Sequence, residues 1–489
     1  MERKLLSTWN QIAPRVYQRQ WFCFPCWRDA RPEGITSHLR SALDRLASHF
    51  PHLTCKISLL SGHPGYLCIY PDDDAKISLR VYDERNSYNW TYAQLEAQGF
   101  PAKAFVHPCF DLPYELLENS EGIPVFEVHA RLIEGGLLLG IYSHHSVSDG
   151  TAIHKVVSSL AQLTIEPTRL PMAEYTDIHL DLPPNLLIGS GHSSSSTFHD
   201  LLSKCPEYQL LSSLTGPTQF RISQAGMPWK DIQKTGRVFI FGAQQIEILK
   251  HRITECCGHS PSTFTCLAAL SWAYVTKARL SSPINLLSSS PGEKMTIPND
   301  VRLMISTDWR QRAFTGTMGP NAGNAVALPK TALDTGIVLA ACSRDESISS
   351  PALGTITQAI EAMVRNVDDS FVALRTALFR EAPDPRLIGV DADPRDPRDF
   401  YFNSWRHFGG QTRWKIPGAV EQEGDKNGGG VAPDAIRRAQ AEWNIGAGLI
   451  LPARKGCLGS EVLITLDVDA MECLCEDADW KLWVNEILE

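Results

Sequence analysis

Residues 135–150 read GGLLLGIYSHHSVSDG. The apolar run from Leu137 to Tyr142 predicts a buried strand, which delivers His144 and His145 into a short polar turn closing at Asp149 and Gly150. Upstream, PVFEVHARL (124–132) alternates apolar and polar residues as a half-exposed strand does, and Gly135 and Gly136 join the two strands into a hairpin. Downstream, Ile153, Val156, Val157, Leu160 and Ala161 recur at helical spacing, with Asp149 placed to cap the first free amides. The two histidines therefore sit at a strand-to-helix junction, held by a rigid element on each side.

Around this junction the chain runs to 489 residues, too long for one hydrophobic core, so two domains are expected. Its composition, 43% hydrophobic and 21% charged, excludes a disordered or fibrous class. A net charge of -9 argues against nucleic acid as a partner, because phosphate binding needs a basic face. The 13 cysteines are scattered and odd in number, which fits reduced thiols. Cys23 and Cys26 have zinc or redox spacing but no second pair accompanies them, so small buried hydrophobes is the better reading. The first 20 residues lack the apolar core of a signal peptide, and no window approaches the roughly 18 uninterrupted apolar residues of a membrane span. A cytoplasmic protein with no membrane span is the expectation.

Elsewhere the pattern predicts a strand near 14–26, a helix through Ile35, Leu39, Leu43, Leu46 and Phe50 ending at Pro51, and short strands at 54–60 and 66–70. Residues 164–235 dissolve into proline, serine and glycine, including GSGHSSSS at 189–196, and read as a crossover. The domain boundaries expected are 1–185, a linker over 186–235, and 236–489. The second half opens with a strand, RVFIF (237–241), and a helix over 243–253. A strong helix follows at 260–279, capped by Ser262 with Leu267, Leu270 and Tyr274 on its inner face. A strand at 300–307 and one long helix at 352–380 come next, then an irregular stretch over 383–434, two strands from Gly446 and a terminal helix. Helices and strands alternate in both halves, so the fold class is α/β, with a sandwich in each half.

A neutral imidazole is the best general base available near pH 7, and it can return the proton as an acid. No GxSxG elbow, HExxH zinc site, complete GxGxxG or Walker loop is present. That leaves base catalysis at His145 without a covalent enzyme intermediate or a metal. On spacing alone, a hydrogen-bonded surface histidine is the competing reading.

HHSVSDG resembles the HHxxxDG motif of the chloramphenicol acetyltransferase-like superfamily. The wider pattern resembles the BAHD-type acyltransferases, especially the fungal secondary-metabolism branch with its trichothecene O-acetyltransferases. The likeness runs through PRVYQRQ (14–20), HFPHL (49–53), STFTCLAALSWAYVTKAR (262–279), DWRQR (308–312), NAGNAV (321–326) and EVLITL (461–466). It implies two chloramphenicol acetyltransferase-like α/β sandwich domains with an interdomain channel, and a monomer. His145 would deprotonate a hydroxyl or amine of a small-molecule acceptor, which attacks the thioester of acyl-CoA; acyl-CoA is a cosubstrate and no cofactor is needed. Asp149 would be structural, paired with Arg310, with Gly150 at the helix entry, His144 in support and Asn324 lining the channel. A DFGWG motif expected ahead of PDAIRR (433–438) is replaced by DKNGGGVA from Asp425. That departure bears on CoA affinity more than on the base. Two other readings stay open: condensation or cyclisation on this scaffold without CoA, and a non-catalytic ligand-binding relative.

Overall fold

The computed structural model describes residues 3–116, 121–168, 178, 181–182, 197–211, 226–287, 297–315, 323–420 and 429–489. Two main sheets organise them. The first has five strands in the order Ala435–Arg438, Tyr17–Pro25, Gly136–His144, Phe126–Ile133 and Ser78–Asp83. All its pairs are antiparallel except the last, Ser78–Asp83 beside Phe126–Ile133. At its centre is the expected hairpin, closed by a two-residue turn in which Gly135 takes φ +76°, a left-handed angle that glycine adopts without strain.

The alternation in Phe126–Ile133 suggested one solvated face, but every residue of the strand is buried. Helices Pro32–His49 and Gly150–Ile165 cover one face through Ile35, Leu39, Ile153 and Val157. On the other face, Tyr92, Phe105 and Phe110 pack against Trp21, Leu138 and Tyr142. The polar residues are accommodated by pairing: Glu127 accepts from Tyr114 Oη at 2.6 Å and lies 3.0 Å from His129 Nε2. Arg131 pairs with Glu84 and lies over Tyr82.

The second sheet has seven strands in the order Lys330–Asp334, Asp300–Ile305, Asp399–Ser404, Ala447–Leu451, Ser460–Asp467, Lys234–Phe241 and Glu486–Leu488. Against it lies the helix Thr263–Ser281, whose Ser262 side chain caps Thr265 N at 3.1 Å. The expected inner face at Leu267, Leu270 and Tyr274 understates the packing, since the helix is buried on nearly every side. The long helix expected at 352–380 is two, Glu346–Arg365 and Asp369–Arg380, because Asp368 caps Phe371 N at 2.8 Å and restarts the chain.

The stretch 383–434 is less irregular than its composition suggests. It contains the central strand Asp399–Ser404, parallel to both neighbours, and the short strand Ile388–Val390. Its prolines and charges form compact turns in which Asp384, Asp393 and Asp396 each bind the main-chain N–H and the guanidinium of the arginine two residues on. The expected linker holds structure too: a helix at Phe198–Ser203 and a strand, Tyr208–Leu210, that pairs with Ile388–Val390. Its GSGHSSSS run lies outside the described residues. One strand crosses the boundary drawn at 236: Ala435–Arg438, from the C-terminal half, pairs with Tyr17–Pro25 in the N-terminal sheet.

Candidate active site

The strand Gly136–His144 ends in a turn closed by Val147 N donating to the His144 carbonyl at 2.9 Å, and the helix Gly150–Ile165 starts at Asp149. Asp149 is fully buried, and each oxygen has a task. Oδ1 caps Ala152 N at 3.0 Å, while Oδ2 accepts from Ala325 N at 2.8 Å and from Arg310 Nη2 at 2.9 Å. Burial opposes the charge of Arg310, but Asp149 and then Asp308 hold its pKa above the ordinary arginine value. Asp308 takes Arg310 Nη1 at 2.9 Å and Thr151 Oγ1 at 2.7 Å, and the Gly323 carbonyl also accepts from Arg310. Through Ala325 the carboxylate ties the histidines' turn to the segment 323–327.

His145 is held through its main chain. Its N–H donates to the Val16 carbonyl at 2.8 Å, and its carbonyl accepts from Asn324 Nδ2 at 2.7 Å. Asn324 is itself held by Asn10, whose Oδ1 receives Asn324 N at 2.7 Å and Nδ2 at 2.8 Å. The ring is deeply set yet partly reached by solvent. Burial pushes its pKa below the ordinary histidine value, opposed by its own carbonyl, Asp149 and Asn324. Nδ1 is buried with no hydrogen-bond partner among the described residues. The lowered pKa keeps the imidazole neutral near pH 7, the state a base needs.

His144 is a different group. It is 1% exposed, and its Nδ1 accepts from Ser146 N at 3.3 Å. Its pKa is lowered to about 3, by burial first and then by Arg15 and His145, so it stays neutral. The unfolded chain takes up this proton below about pH 6.5 and the native protein does not until about pH 3. Stability is therefore complete above about 6.5 and falls by about 1.4 kcal/mol per pH unit below it. A His144→Asn variant, followed by urea midpoints from pH 7 to 4, is expected to show a shallower slope.

Gly150 begins the helix because of space. A Cβ there would lie 2.5 Å from Phe408 Cε2, and that ring stacks on His154 with centroids 5.6 Å apart. The glycine-rich replacement for DFGWG is partly visible. Asp425 lies outside the described residues, but Gly430 takes φ +99°, and a Cβ on it would meet the Trp414 carbonyl at 2.7 Å.

Residues 16–163 match the trichothecene 3-O-acetyltransferase-like N-terminal domain. Trichothecene 8-O-acetyltransferase of Fusarium sporotrichioides is 23% identical over 485 residues, covering 91% of this chain and 92% of that protein. Acyltransferase cm3D of Cordyceps militaris is 30% identical over 173 residues, 32% of this chain and 35% of its own. Among solved structures, F. graminearum TRI101 complexed with coenzyme A and T-2 mycotoxin superposes with a TM-score of 0.73 over the whole of both chains at 16% identity. The chain thus shares the two-sheet fold of TRI101, and its N-terminal third matches the trichothecene 3-O-acetyltransferase-like domain. Vinorine synthase shares its fold at a TM-score of 0.59 and 14% identity, over 99% of this chain and 94% of that one.

The structure brings His144, His145, Asp149, Gly150, Arg310 and Asn324 into one cluster. It adds three residues not singled out from the sequence. Asp308, inside DWRQR, is the second carboxylate on Arg310. Gln18 donates to the Ser148 carbonyl at 2.8 Å. Asn10 orders Asn324 from far along the chain, and no sequence signal points to it.

Proposed function

We propose that this acyltransferase moves an acetyl or other short acyl group from a coenzyme A thioester to a hydroxyl of a small secondary metabolite, with His145 as general base. The observation that carries this reading is the imidazole of His145, held below its ordinary pKa by burial and fixed at the strand-to-helix turn through its main chain. His145 Nε2 takes the hydroxyl proton as the oxygen attacks the thioester carbonyl. The tetrahedral intermediate collapses, its C–S bond breaks, and the proton passes from His145 to the departing CoA sulfur. A thiol with a pKa of about 8.5 leaves easily, so positioning and one base carry the step. Asp149 and Arg310 take no proton; they fix the turn. Acyl-CoA is consumed as a cosubstrate and no further cofactor enters.

The chain's likeness to a trichothecene 8-O-acetyltransferase, and to TRI101 solved with coenzyme A together with T-2 mycotoxin or deoxynivalenol, supports this donor and this acceptor class. In this reading residues 1–185 and 236–489 supply the two walls of the channel, with the strand Ala435–Arg438 lent from the second to the first. All thirteen cysteines are free, which supports a reducing, cytoplasmic setting. Two cores within one chain support a monomer. Among the described residues no helix is long and apolar enough to cross a membrane. The test is thiol release from acetyl-, propionyl- and butyryl-CoA in the presence of T-2 toxin, deoxynivalenol and simpler secondary alcohols. Acceptor-dependent release with an ester product is expected; no ester from any pair would sink the reading.

A further inference from the structure

The inner face of the N-terminal sheet carries a polar site that the transfer step leaves unused. In the pairing of Ala435–Arg438 with Tyr17–Pro25, Arg438 stands opposite Gln20, and directly paired residues share a face. Ile436 and Phe22, the next pair on that face, belong to the core. Two residues the other way, about 7 Å along the strand, Gln18 holds the Ser148 carbonyl of the His145 turn. Tyr401, which acts electrostatically on Arg438, is hydrogen-bonded to Ser306, two residues before Asp308. The site is thus tied to the catalytic turn from both sheets.

Its polar groups lack partners. Gln20 is 1% exposed, yet neither its Oε1 nor its Nε2 has a hydrogen bond among the described residues. Arg438 is deeply enclosed but partly solvent-reached, and no acid pairs with it among the described residues. Of the charged and titratable groups around it, Tyr401 favours its charge and Arg19, on the other face of the neighbouring strand, opposes it. Arg437, next to it on the opposite face, is by contrast fully occupied by Glu461 and the carbonyls of Phe100 and Gly99. An enclosed cation with no counter-ion beside an amide with no partner is costly to fold, and a fold keeps such groups where a ligand completes them.

We propose that Arg438 and Gln20 form an oxyanion-recognition site in the channel, taking a carboxylate carried by one of the two reactants. The planar guanidinium matches a carboxylate through two parallel N–H donors, and the Gln20 amide adds a third. The phosphates of coenzyme A do not suit the site, because the pantetheine arm separates them from the thioester by many bonds, whereas the site adjoins the His145 turn. The carboxylate belongs either to a dicarboxylic acyl group or to the acceptor. This inference rests on reading the cleft as an acyl-transfer channel.

Calorimetric titration of the full-length chain with two matched pairs separates the sources: malonyl-CoA against acetyl-CoA, and 4-hydroxybenzoate against its methyl ester. The wild type is expected to bind the charged member of one pair at least about tenfold more tightly, worth about 1.4 kcal/mol. In Arg438→Met that preference should fall to within about twofold, with acetyl-CoA affinity unchanged, and Arg438→Lys should recover part of it. Preference in the CoA pair assigns the acyl group; preference in the benzoate pair assigns the acceptor. Equal binding within both pairs, or a preference that survives Arg438→Met, overturns the proposal. A second readout guards against a purely structural role. Without ligand, Arg438→Met and Gln20→Leu should melt at or above the wild-type temperature, and a drop of several degrees in both overturns it. His145→Ala should keep the binding preference while losing thiol release. A charged-member preference in a wild type that transfers no acyl group would sink the transfer reading and leave this site standing.

Discussion

Replacing His145 with alanine is expected to lower kcat/KM for acyl transfer by about 10³-fold, within the roughly 10²- to 10⁴-fold that a positioned general base contributes. Dissociation constants for acetyl-CoA should change little, because no step of donor binding uses the ring. In the proposed mechanism the same group sets the pH profile. Burial holds the His145 pKa below its ordinary value of about 6.5, and the active form is the neutral one. Activity is therefore expected to stay level from pH 8 to about 6.5 and to fall only on the acid side, with the midpoint of kcat/KM below 6.5. A midpoint above 7 would mean that the ring gains a stabilised charge, contrary to its surroundings. Asn324→Ala frees the His145 carbonyl, so it should lower kcat more than it raises KM.

Asp149→Ala should be the most destabilising single change at the site, costing about 3–5 kcal/mol for the buried guanidinium it strands. It also removes the cap of the helix Gly150–Ile165, worth about 1 kcal/mol. Asp308 limits the loss, because Arg310 keeps one carboxylate. Asp149→Asn should fall between, since an amide oxygen still caps Ala152 but cannot neutralise Arg310. Urea unfolding followed by tryptophan fluorescence measures both. Asp149→Asn as stable as the wild type would mean that the ion pair adds nothing beyond the cap, and equal stability of the two variants would mean that the cap adds nothing beyond the ion pair. A turn left untethered also loses the base, so transfer by Asp149→Ala should drop even at temperatures where it remains folded.

Much of this site was legible in the sequence because its parts are local. An apolar run, a polar turn and a capping aspartate are read within twenty residues, and the structure builds the hairpin and helix over that stretch. What could not be read was long-range. Glu127, His129 and Arg131 suggested a solvated face because pattern alone cannot show that Tyr114, Tyr82 and Glu84 arrive to pair with them. The strand Asp399–Ser404 was hidden by the prolines and charges before it, which make tight turns at its threshold. Asp368 interrupts a helical periodicity that is apolar on both sides of it, so two helices read as one. Asn10, Gln20 and Arg438 are ordinary polar residues until three distant segments meet.

The strand Ala435–Arg438 also constrains how the molecule is made. Its neighbour Tyr17–Pro25 leaves the ribosome first, and about four hundred residues of synthesis separate the two, at about 5–20 residues per second. Throughout that interval the nascent N-terminal sheet ends in a bare hydrophobic edge built from Trp21, Phe22 and Phe24, an open invitation to pair with another nascent chain. Early domain and late strand must wait for each other, so the His145 turn is assembled on a sheet that is sealed only once residues 435–438 have been made.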